Sequence, residues 1–89
     1  LNFMTSALEI SQELLQKRSN ELLAQLEQAL IDCLQLAEKK GAWYVQELRE
    51  TSLSELEEYR ELAVNPSVSN IAILENEINL INQCISDLI

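Results

Sequence analysis

Between Ile71 and Leu88 the apolar residues Ile71, Leu74, Ile78, Ile81, Ile85 and Leu88 recur at spacings of 3, 4, 3, 4 and 3. That alternation lays a continuous seam along one side of an α-helix and fits no strand, whose apolar period is two. Ile73, Leu80 and Cys84 add a second strip about 110° around the same helix, at 3.6 residues per turn. A helix apolar on two sides is expected to be covered by two neighbours. The stretch predicts the central staple of a small helical bundle.

The remaining residues point the same way. One Gly and one Pro in 89 residues leave too few turn formers for a β fold. The hydrophobic share of 47% is enough for a packed core and argues against disorder. One all-α domain over residues 1–89 is the expectation.

Ser6 and Glu9 stand at capping-box spacing, and no helix breaker follows them before Gly41. Leu8, Leu15, Leu22, Leu26, Ala29, Leu30, Cys33 and Ala37 share one stripe when the chain is advanced about 100° per residue. This predicts a first helix over about 5–40. The polar run Gln16–Glu21 leaves an alternative open, a break near Ser19–Asn20 with Asn20 capping a new helix, which would give a four-helix bundle. Lys39 and Lys40 suit the negative end of the first helix, and Gly41 suits a left-handed cap. A second helix over about 42–64 has Val45, Leu48, Leu56, Tyr59, Leu62 and Ala63 on its inner face, interrupted by Ser52 and Glu55. Asn65 reads as an N-cap and Pro66 as the first residue of a third helix, over about 66–88. Short connections make the neighbours antiparallel, hence an up-down-up three-helix bundle.

The helices are unequal. At 1.5 Å per residue the first spans about 50 Å and the other two about 33 Å each. Antiparallel pairing from Gly41 then leaves roughly the first ten to fifteen residues beyond the end of the bundle. That arm is apolar on two sides: Met4, Leu8 and Leu15 continue the inner stripe, while Phe3, Ala7, Ile10 and Leu14 form another. Contiguous exposed apolar surface marks a contact site. The arm is expected to dock on a second protein, through Phe3, Leu8, Ile10, Leu14 and Leu15. The simplest partner is a second copy, by helix exchange or a two-fold dimer, with a helical hetero-partner as the other option.

Charge narrows the partners. Fifteen acidic against six basic residues give a net charge of −9. Nucleic acid and anionic membrane surfaces are disfavoured by the sign of that field. Glu47, Glu50, Glu55, Glu57, Glu58 and Glu61 make the second helix an acidic ridge, so an inhibitor or regulator of a basic surface is the alternative reading. Most such ridges are solvated charge.

Nothing predicts catalysis. The chain has no His, the commonest acid–base group and metal ligand. The pairs Glu47–Glu50 and Glu57–Glu61 have helical spacing but lie mostly on the outward side. Cys33 and Cys84 sit on apolar strips without metal-ligand spacing, and buried free thiols are the expectation rather than a disulfide. No cofactor, metal or catalytic residue is assigned. Trp43 and Tyr44, just after the turn, are expected to plug the open end of the bundle. No basic-then-apolar leader and no membrane-length apolar run is present, and a cytoplasmic location is expected. The functional expectation is a non-enzymatic, acidic helical adaptor or small chaperone-like subunit, oligomeric through helix–helix packing.

Overall fold

The computed structural model describes the backbone of residues 3–89, with side chains from Ala7 onward. Three helices follow one another: α1 (Phe3–Lys39), α2 (Val45–Val64) and α3 (Val68–Leu88). They form the expected bundle with a long first helix. α1 is unbroken through Ser19 and Asn20, so the four-helix alternative does not occur. The described helix reaches back to Phe3, which places Ser6 inside it and not at its N-cap.

The turn after α1 is a Schellman motif. The Ala42 N–H donates to the Ala37 carbonyl at 3.0 Å and the Gly41 N–H to the Glu38 carbonyl at 3.1 Å, with Gly41 at φ +67°. Only glycine enters that left-handed region without a steric penalty. The turn consumes Ala42 to Tyr44, so α2 starts three residues later than expected.

At the second junction the cap is Ser67. Its hydroxyl accepts from the Asn70 N–H at 3.0 Å, so Pro66 lies outside α3 and Asn65 is not its N-cap. Asn65 instead closes α2, donating from Nδ2 to the Glu61 carbonyl at 3.1 Å. Asn70 reaches back from α3 and donates to the Asn65 carbonyl at 2.7 Å. One side chain thus satisfies a carbonyl just past the end of the preceding helix and pins the two helices at this end.

The core corrects the expected organisation. Leu22, Leu26, Ala29, Leu30, Cys33 and Ala37 of α1 are buried, against Ala63 of α2 and Leu74 and Ile81 of α3. α1, not α3, is the central helix: both others pack along it, and they meet each other far less. The seam of α3 turns inward as expected. Its second strip does not, since Ile73 and Leu80 are 47% and 53% exposed and Cys84 is exposed. α2 covers only part of the side of α3 that the strip occupies.

Ser19 is fully buried in α1 and its hydroxyl has no hydrogen-bond partner. An unsatisfied buried hydroxyl costs about 1–3 kcal/mol, and alanine is the better helix former. Ser19→Ala is therefore expected to raise stability by about 1 kcal/mol, read as a higher urea midpoint at unchanged slope. A lowered midpoint would show that the hydroxyl has a partner.

Candidate functional site

The arm projects as its length requires. The Gln16 side chain donates from Nε2 to the Ala63 carbonyl at 3.2 Å, which sets the lower end of the bundle at that level of α1. The molecule measures 59 × 22 × 16 Å, with a radius of gyration of 16.2 Å, where a compact domain of this length would have about 12 Å. From Ala7 to Leu14 every described α1 side chain is exposed. Leu8 is 69% exposed, Ile10 57% and Leu14 61%, while Leu15 is half-buried at the bundle end. Phe3, the remaining member of the predicted set, and Met4 have side chains outside the described residues. Ile10 and Leu14 share a face with Ala7, and Leu8 lies on the opposite side, where it extends the core stripe.

A second apolar feature, absent from the sequence reading, lies at the other end. α2 and α3 touch each other less than either touches α1, and toward the Gly41 turn they leave a cleft of about 330 Å³. Leu30 and Cys33 of α1 form its floor, Tyr44 and Leu48 one wall, and Leu80 and Cys84 the other. The one signal for it was the second strip of α3, whose outer part forms this wall.

Acidic groups close the lower end of the cleft. Burial, then the neighbouring carboxylates of Glu77 and Glu58, push the Glu55 carboxyl above its ordinary value. Burial and the Glu77 carboxylate hold the Tyr59 phenol well above its usual range. At the upper end, burial and then the nearby Cys84 raise the Cys33 thiol. Both cysteines are free thiols.

The predicted acidic ridge lies on the surface: Glu47, Glu50, Glu57, Glu58 and Glu61 are all exposed, with Glu55 turned toward α3. The two arginines of α2 are engaged elsewhere, Arg49 with Glu38 and Arg60 with Glu27 at 3.4 Å. Trp43 does not plug the bundle. It is 88% exposed and meets Tyr44 edge-to-face at 5.5 Å. The Schellman turn carries it to the outside, and Tyr44 alone reaches the cleft.

Among the described residues no three His, Cys, Asp or Glu side chains converge on one point, and no helix is long and apolar enough to cross a membrane. Comparison with protein-family models, with curated proteins and with solved structures finds no match.

Proposed function

We propose that the protein is a non-enzymatic interaction module, an acidic helical adaptor or small chaperone-like subunit that docks a protein partner through the arm of α1. The observation that carries this reading is the exposure of Leu8, Ile10 and Leu14 on a helix extending past its own bundle. Large aliphatic side chains gain about 1.5–3 kcal/mol each when covered. On a protruding helix, Ile10 and Leu14, four residues apart on one face, are suited to lie in another protein's groove, and Leu8 offers a contact on another face. The two free thiols accord with a reducing, cytoplasmic setting.

A second reading rests on α2. Its ridge glutamates are exposed while both its arginines pair with carboxylates of α1, so the ridge presents nearly uncompensated negative charge to a basic surface. Salt separates the two. Ionic association weakens steeply as the screening length falls from about 10 Å at 0.1 M salt to about 3 Å at 1 M. Docking through the arm is expected to persist or tighten over that range, as followed by sedimentation velocity. Dissociation of the complex at high salt would favour the ridge and remove the arm from the proposal.

A further inference from the structure

We infer that the arm's partner is the cleft of a second copy of this chain, entered reciprocally by two molecules lying antiparallel. The inference rests on the arm being a docking element, and it adds which surface receives it.

Length is the first argument. From Ala7 to Lys17 the arm is about 15 Å long, and the cleft walls, Tyr44–Glu55 and Glu77–Leu88, are each about 17 Å. The arm leaves one end of the bundle and the cleft opens at the other. Two antiparallel molecules therefore bring each arm beside the other's cleft, and the contact closes on itself as a two-fold pair. A head-to-tail arrangement would place only one arm per junction and would propagate into a filament.

Register is the second. Run antiparallel to α3, the face bearing Ala7, Ile10 and Leu14 falls opposite Leu88, Cys84 and Leu80. Side chains on both faces recur three or four residues apart, the spacing at which helical neighbours interdigitate. The exposed Leu80 and Cys84, left uncovered within one chain, acquire a neighbour.

Charge is the third. In the same register Lys17 arrives at Glu77, beside Glu55. Burial, then repulsion from the Glu77 and Glu58 carboxylates, raises the Glu55 carboxyl, and a cation there offsets the repulsive part. Lys17 makes no ion pair among the described residues, in contrast to Arg18, which bonds Glu21 and Glu75 at 3.6 and 3.5 Å. The arm itself is nearly neutral, with Glu9 and Glu13 against Lys17, and almost all of the net charge of −9 lies in the rest of the chain. Two acidic bodies thus approach through a segment that carries little of that charge.

The test is a directed disulfide. The full chain carrying Cys33→Ala and Ile10→Cys, with Cys84 native, is oxidised by glutathione disulfide, which takes up two electrons and two protons for each bond formed. The expected product is a covalent dimer in which peptide mapping joins position 10 of one chain to Cys84 of the other. Leu8→Cys in the same background, on the opposite side of the helix, is expected to give several-fold less of it. Lys17→Glu is expected to weaken the dimer about ten-fold, since two symmetric surface pairs are each worth up to about 1 kcal/mol, and Glu55→Lys added to it restores association. A bond between the two introduced thiols would show the arms pairing with each other. That result overturns the cleft assignment and leaves the arm as the docking element. A monomeric mass for the unaltered chain at 100 μM also overturns the inference. The arm's role toward a different protein is then read separately, from whether Ile10→Glu with Leu14→Glu abolishes that complex.

Discussion

Changing Ile10 and Leu14 together to Glu is expected to reduce the protein's association by a factor of about 10²–10⁴, with helicity almost unchanged. Each side chain is more than half exposed in the single chain, so its loss removes little intramolecular packing. In a complex each is worth about 1.5–3 kcal/mol, and about 3–6 kcal/mol together converts to that range of dissociation constants. Glutamate is a good helix former, and the arm is a continuation of α1, so no separate nucleation step is exposed. Sedimentation equilibrium reads the mass and far-UV circular dichroism reads the helix. A complex whose mass and affinity survive the double substitution would remove the arm from the interface.

The largest effect on folding is expected at the opposite kind of position. Leu74 is the point at which the seam of α3 enters the core, and it is 0% exposed. It packs in one cluster with Leu22, Leu26 and Ala63, so its replacement by Ala leaves a cavity that three helices cannot easily collapse. Loss of buried leucine side chains costs about 2–5 kcal/mol, against a total stability of about 4–13 kcal/mol for a chain of this length. Leu74→Ala is expected to take away about 3 kcal/mol and to lower the melting temperature by about 12–24 °C. The same replacement at Leu80, which is 53% exposed, is expected to cost far less in the isolated chain. Equal losses at the two positions would mean that the second strip of α3 is covered after all.

These contrasts follow from what a repeating pattern of residue types can report. Periodicity states which side of a helix is apolar. It does not state whether a neighbour reaches that side. The stripe from Leu22 to Ala37 and the seam from Ile71 to Leu88 both appear in the structure as the sequence arranges them, and α1 keeps its phase across Gln16–Glu21 because no residue there interrupts the helix. The strip Ile73, Leu80 and Cys84 is just as regular, yet it is exposed, because no neighbouring helix fully covers that side of α3. Nor could any pattern in α3 alone show that α1 is the central helix.

Local chemistry divides in the same way. Gly41 announced a left-handed cap, and the hydrogen bonds from Ala42 and Gly41 realise it. Trp43 two residues later faces outward and does not plug the bundle, since a cap fixes hydrogen bonds within the turn but not what the next side chains face. Asn65, Pro66 and Ser67 are all competent at a helix start, and the Asn70 N–H selected Ser67. The arm was legible because it needs only helix lengths and a turn position. The cleft was not, because it is a space between helices from distant parts of the chain.

By itself, then, the order of residues determined three helices, their approximate lengths, the turn at Gly41 and an apolar arm too long for its bundle. These depend on the α-helical repeat and on local caps, which are properties of neighbouring residues. Only the tertiary structure decided that α1 is the central helix, that Leu80 and Cys84 are uncovered, and that Glu55 and Glu77 face each other across the cleft. Those depend on how helices remote in the chain are angled against one another, which no local period encodes.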